Sequence, residues 1–383
     1  LVERLKLSAN ILTPLLEYLQ KEKCVQIRGA DPFKPSDGSF SFFSRYSLTD
    51  GGKKRAAQLL EYDAYVGAVP VTLKDYWNQV ERQSIRLTSP TPERMNQVFH
   101  DLVISSEIME VLGPAVVSGK PLFLYGPSGN GKTIMALRLG QIWNDAILVP
   151  YAIFVEGNVI RVFDEITHRH TELPPSEGTR SDPRWVRCQR PVVVVGGELT
   201  LDRLELTFNS DLKYYEAPLQ LKANNGMFLV DDLGRQKISP QDLLNRWIVP
   251  LENRQDFLCL NSGQKFAIPF DQFVVFATNL EPRAHLDEAF LRRIRSKVKV
   301  DYVDREQFFE IFRIICRQNQ LEFDREAVEY LLTKEYDGGK RSFGACHPRD
   351  LVEQIIDYSK FYQLEPELTR ENLDRACRNY FVN

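Results

Sequence analysis

Histidine, methionine and tryptophan are scarce in this chain: five, four and four among 383 residues. None of the six cysteines (Cys24, Cys188, Cys259, Cys316, Cys346 and Cys377) stands in a Cys-x-x-Cys pair. That scatter excludes a compact zinc site built on paired thiolates and speaks against a disulfide framework, so it suits a reducing, cytoplasmic setting. His168 and His170 in "THRHTE" have metal-like spacing, but no matching Cys or acidic set accompanies them, and a solvated loop is expected. Excess charge is also missing. A net charge of −3 gives no overall attraction to nucleic acid or anionic lipid. No apolar run approaches the length of a membrane span, and the start is not signal-like. Internal repeats and low-complexity segments are absent too. The first residue is Leu rather than Met, so an upstream stretch is expected. What is present is an ordinary globular composition, 43% hydrophobic and 26% charged, with room for two or three cores.

One segment carries chemistry openly. "GPSGNGKT" (Gly126, Pro127, Ser128, Gly129, Asn130, Gly131, Lys132, Thr133) fits G-x-x-x-x-G-K-[ST] in full. The apolar strand "PLFLY" precedes it and the helical "TIMALRLGQIW" follows. Glycines let successive backbone N–H groups converge on phosphate oxygens, and the helix start adds its partial positive charge. Lys132 is placed to reach β- and γ-phosphates, and Thr133 to offer a hydroxyl to Mg²⁺. ATP with Mg²⁺ is the expected ligand.

A second stretch, "GMFLVDDLGRQ", runs four apolar residues straight into Asp231 and Asp232. Burying an acidic pair is costly without something to hold. In P-loop ATPases, which the first motif resembles, a neighbouring strand ends in a carboxylate near the magnesium. The residue after it polarises the attacking water. The resemblance gives Asp231 the metal role and Asp232 the water role.

From about residue 90 onward the chain resembles the AAA+ ATPase family. "FVVFATN" is similar to the strand that carries the polar sensor, which implies that Asn279 orients the lytic water. "DEAFLRRIR" resembles the family's second homology region, whose arginines reach the neighbouring subunit's nucleotide. By position Arg292 is the first choice of finger and Arg295 the second, with Arg293 adjacent. "HPRDLVEQIIDYSK" looks like the sensor-2 helix and puts Arg349 near the γ-phosphate. "DFLCLNSGQKFAIPFDQ" reads as a hairpin turning at Asn261-Ser262-Gly263, similar to the hairpin before sensor 1 in the MoxR and enhancer-binding branches. The family usually carries Glu where this chain has Asp232, which implies slow turnover.

The expected class is α/β: a P-loop core with a parallel sheet, a C-terminal four-helix lid and an N-terminal winged helix. Residues 1–88 form the N-terminal unit, 89–300 the nucleotide-binding domain and 301–383 the lid. Core strands are expected at 121–125, 146–152, 227–231, 273–277 and 297–300. "IFVEGNVIRVF" and "RPVVVVGGEL" read as strands inserted into the second helix region, which in those branches engages the remodelled client. In the first unit, Ile11, Leu12, Leu15, Leu16 and Leu19 make an apolar stripe at helical spacing. The order helix, helix, strand, loop, strand, helix looks like a winged helix, and "YSLTDGGKKRA" resembles the MarR-type domain.

Whether such a unit grips DNA depends on its charges. The leading exposed positions of its second helix are Ala9, Asn10, Thr13 and Pro14, with no Arg or Lys to read bases or hold phosphate. Thirteen basic residues face ten acidic ones over residues 1–88, and "GGKKRAA" alone is a basic knot. Docking of a protein is favoured over DNA. The resemblance therefore implies an ATP-hydrolysing remodeller or chaperone working as a homo-oligomeric ring of six subunits. The other reading is a DNA-associated regulator in which ATP controls assembly and hydrolysis is slow.

Overall fold

The computed structural model describes residues 1–30, 44–172, 182–282, 288–339 and 341–381. Five strands make a fully parallel central sheet, in the spatial order Ser296–Lys299, Leu122–Tyr125, Phe273–Thr278, Met227–Val230, Val192–Val195. Its middle strands carry almost nothing but apolar residues, because a parallel sheet is covered on both faces. On one face lie Leu112, Met135, Leu139 and Trp143. On the other, Trp247 meets Phe228 edge to face at 4.9 Å and also packs against Phe270. The flanking helices start where short polar side chains can cap them. Thr91 and Ser239 each cap a helix whose next residue is proline, and Asp304 with Gln307 closes a capping box.

Two strand assignments differ from expectation. Ala146–Pro150 is a strand but lies outside the central sheet, paired antiparallel with Trp185–Gln189. The fifth place in the sheet belongs to Val192–Val195, expected as an insertion, which pairs in parallel with Met227–Val230. Both runs are short and apolar, and periodicity alone does not say which sheet such a run joins.

The inserted segments build a second β unit with a core of its own. Its five strands run in the order Thr207–Asn209, Tyr214–Glu216, Asn158–Arg161, Ala152–Val155, Val71–Thr72. The hairpin Gln255–Cys259 and Lys265–Pro269 turns through Asn261-Ser262-Gly263 and packs Leu258, Phe266 and Ile268 into the same core. Val71, Tyr76 and Val80, which sequence grouped with the N-terminal unit, are buried here too. Val71–Thr72 pairs with Ile153 and Phe154, so this part of 1–88 packs with the insertion.

The first sixty residues supply helices Val2–Leu5, Ala9–Lys21 and Asp50–Leu60, with Val25–Ala30 and Ser44–Leu48 paired antiparallel. The intervening loop lies in 31–43, outside the described residues. The apolar stripe of Ala9–Lys21 is used on one edge only: Leu12 is buried, while Ile11, Leu15 and Tyr18 are exposed.

Four helices, Arg305–Gln318, Arg325–Glu335, His347–Tyr362 and Arg370–Tyr380, close the chain around a core of Phe308, Phe312, Leu331, Leu351 and Leu373. Among the described residues no helix is long and apolar enough to cross a membrane.

Candidate functional site

The loop from Gly126 to Gly131 leaves the strand Leu122–Tyr125 and enters the helix Lys132–Leu139. Gly126, Gly129 and Gly131 have φ of 137°, 76° and 85°, values that L side chains rarely adopt. A Cβ on Gly126 would lie 2.2 Å from the Val300 carbonyl oxygen. The helix begins at Gly131 without a side-chain cap, so its first N–H groups are left for an anion.

Lys132 folds back over this loop. Its Nζ donates to the carbonyls of Gly126 at 2.8 Å and Pro127 at 2.7 Å, and the side chain is buried. Burial pushes the ammonium's pKa down, opposed by the charges of Asp232 and Asp231. Thr133 Oγ1 donates to the Asp231 carboxylate, 3.0 Å from each oxygen, across 98 residues of sequence. A hydroxyl beside a carboxylate is a hard-oxygen donor set of the kind Mg²⁺ takes, so these two residues fit that ion.

Asp232 is held from three sides. Its backbone N–H donates to Asp231 Oδ1 at 3.1 Å, and Asn279 Nδ2 donates to its Oδ1 at 3.1 Å. Gln236 Nε2 donates to the carbonyls of Asp231 and Asp232, at 2.7 and 3.1 Å. The residue has φ of 50°. Left-handed backbone is less costly for Asp than for most residues with a side chain, which gives a physical reason for Asp at this place.

Ser128 to Thr133, both aspartates and Asn279 line one cavity of about 770 Å³, together with Arg349 of the lid. The lid reaches the loop through two backbone donors: Cys346 N–H to the Gly129 carbonyl at 2.8 Å, and Ala345 N–H to Asn130 Oδ1 at 3.1 Å. Arg349 is bound to Asp350 through Nε at 3.0 Å and a second nitrogen at 2.9 Å. Asp350 also accepts from Tyr380 Oη at 2.7 Å.

Other predicted residues stand apart. Arg292 and Arg295 are exposed and do not line the cavity, and Arg293 pairs with Glu252 at 2.6 Å. His168 is 2% exposed, contrary to the solvated loop expected, because its ring closes a turn. Nδ1 accepts from the Asp164 N–H at 3.0 Å, and Nε2 lies 2.9 Å from the Lys222 carbonyl. His170 adjoins a strand and forms a bridge to Cys188.

Sequence reasoning missed Gln236, Arg235, Cys346, Asp101 and Arg138, of which all but Gln236 line the cavity. Gln236 had a local signal, five residues beyond Asp231 in "DDLGRQ". Asp101, Arg138 and Cys346 had none, since only the fold brings them to the loop.

A family model described as a domain of unknown function (DUF8689) matches residues 304–379, the four C-terminal helices. Several solved structures are similar at low identity. NtrX from Brucella abortus in complex with ATP is 13% identical with a TM-score of 0.42, over 84% of this chain and 59% of that one. This chain thus spans less than two thirds of the NtrX chain. The RuvB Holliday junction branch migration motor of Thermotoga maritima is 10% identical with a TM-score of 0.40, over 78% of this chain and 74% of that one. Domain III of the Thermotoga maritima replication initiation protein DnaA is 15% identical with a TM-score of 0.40, over 77% of this chain and all (100%) of that one.

Proposed function

We propose that this protein binds and hydrolyses ATP as an AAA+ enzyme, and that it works as a homo-oligomeric ring of six subunits on a protein client. The observation that carries the reading is the convergence of Lys132, Thr133, Asp231, Asp232 and Asn279 on one cavity, from three neighbouring strands of a parallel sheet. A triphosphate there meets the glycine-rich backbone and the uncapped helix start, and Lys132 exchanges its two carbonyl partners for phosphate oxygens. Bound at Thr133 and Asp231, Mg²⁺ would neutralise charge on the β- and γ-phosphates. Asp232 holds the attacking water with Asn279 fixing its carboxylate, and Arg349 leaves Asp350 to meet the γ-phosphate.

Arg292 and Arg295, exposed and away from their own cavity, suit a role at a neighbouring subunit's site. The exposed arc Ile11, Leu15 and Tyr18 supports protein docking by the winged-helix-like unit in preference to DNA. The inserted β unit is the second surface offered to a client. Lys132→Ala is expected to abolish ATP binding in calorimetry, since the phosphate charge loses its counter-charge. Unchanged affinity would remove the assignment.

A further inference from the structure

The lid carries a second cavity, of about 490 Å³, lined by the helices His347–Tyr362 and Arg370–Tyr380. Asp350, Glu353, Asp357 and Phe361 follow one another three or four residues apart. They therefore share one face of the first helix, a stripe about 16 Å long at 1.5 Å per residue. Among the described residues no lysine or arginine lines this groove. Glu353 lies 3.9 Å from Arg349, and Asp357 has no ion-pair partner among the described residues. Phe361 is 79% exposed although apolar. Two of the walls already hold a guanidinium of this chain. Tyr358 carries Arg375 over its ring, 3.8 Å from the centroid, and Asp350 accepts from two nitrogens of Arg349. A planar cation that stacks on a ring and forks onto a carboxylate is what such side chains bind.

We infer that this groove docks a segment of a partner protein that carries two or more arginines. Carboxylates alone would draw any cation, while the rings favour guanidinium over ammonium. Docking has a consequence at the nucleotide, and that part rests on the triphosphate reading. Asp350 lines this groove, and the Arg349 it holds lines the nucleotide cavity. A second cation beside Asp350 weakens its grip on Arg349 and frees that arginine toward the γ-phosphate. Segment and ATP then each favour the binding of the other.

The test is calorimetric titration of the full chain with a capped hexapeptide of four glycines and two arginines. Two further peptides carry lysine, or citrulline (the uncharged isostere of arginine), in place of both arginines. Wild type is expected to bind the arginine peptide about fivefold tighter than the lysine one and to give no heat with citrulline. Glu353→Gln combined with Asp357→Asn should weaken the arginine peptide by about tenfold, and Phe361→Ala by about threefold. All three side chains are exposed, so these variants leave the lid core intact. ATP in magnesium buffer is expected to tighten the peptide by about fivefold, and the peptide to tighten ATP by the same factor. No binding of the arginine peptide would overturn the inference, as would equal binding of the citrulline one. So would a double variant that binds the arginine peptide as well as wild type does. Self-association of wild type that the double variant abolishes would give the groove to a second copy, and overturn the partner segment. Peptide binding that ATP leaves unchanged, in a chain that does bind ATP, would overturn the link through Asp350. A chain that binds the peptide but not ATP would overturn the triphosphate reading and leave the groove standing.

Discussion

At Asp232 a short side chain and a left-handed backbone occur together, and each bears on the other. Asp is one methylene shorter than Glu, so from the same backbone its carboxylate stops about 1 Å short of where Glu would hold water. A misplacement of that size costs on the order of a hundredfold in rate. Asp232→Glu is therefore expected to speed single-turnover hydrolysis by roughly tenfold or more, while losing on the order of 1 kcal/mol of stability at φ of 50°. Asp232→Asn should keep ATP bound and uncleaved. An Asn variant as fast as wild type would show that another group handles the water. His168 offers an independent test at the same scale. Burial pushes its pKa down to about 4, against an ordinary value of 6.5. The folded state thus resists the proton that the unfolded chain accepts, so this contribution is complete above pH 6.5 and is lost as pH falls toward 4. The expected loss is about 2 kcal/mol between pH 6.5 and 5, read from urea midpoints. His168→Gln should flatten that slope.

Among the elements, the contact of lid on loop is the most exacting. Gly129 has φ of 76°, its carbonyl accepts from Cys346, and a Cβ there would sit 2.6 Å from Cys346 Sγ. Gly129→Ala should drive the lid helix His347–Tyr362 off the loop and weaken ATP binding by about tenfold or more, with the melting temperature moving only a few degrees. Tight binding by that variant would mean that the lid contact is dispensable. Elements also mark where sequence reading succeeds. The phosphate loop, the strand into Asp231 and the hairpin at Asn261-Ser262-Gly263 were legible because their residues are neighbours in the chain. The places of Ala146–Pro150 and Val192–Val195 were not, since two apolar runs compete for one slot and only long-range pairing separates them. Val71–Thr72 was hidden for a different reason: a strand of two residues has no period. His168 was misread because a buried histidine and a solvated one leave the same trace in sequence. Asp101 and Arg138, 37 residues apart, meet only after the sheet has formed.

In the ring proposed for the whole molecule, Arg292 and Arg295 would complete a neighbouring subunit's site. Arg292→Ala is expected to bind ATP yet hydrolyse it poorly. Mixing it with Lys132→Ala should restore part of the activity, because an intact finger then stands beside an intact phosphate loop in some interfaces. Steady-state hydrolysis across a mixing series measures this. A series that never rises above the two parents would place the arginine in its own subunit's chemistry, and unchanged rates for Arg292→Ala and Arg295→Ala alike would defeat the shared site.

The order of strands in the sheet also sets a timetable for the ribosome. Leu122–Tyr125, the strand on which the phosphate loop hangs, has Phe273–Thr278 and Ser296–Lys299 as its two neighbours. Both lie roughly 150 residues or more downstream, so at about 5–20 residues per second the strand waits on the order of ten to thirty seconds for a partner. The inserted β unit waits as well, since its core needs Leu258, Phe266 and Ile268 from the late hairpin. Two apolar sheets therefore emerge unfinished and are completed almost together. A nascent chain halted before residue 255 can pair Val192–Val195 with Met227–Val230 but leaves Leu122–Tyr125 without either neighbour, so the growing polypeptide is expected to be a client for cellular chaperones until its last sheet strand is made.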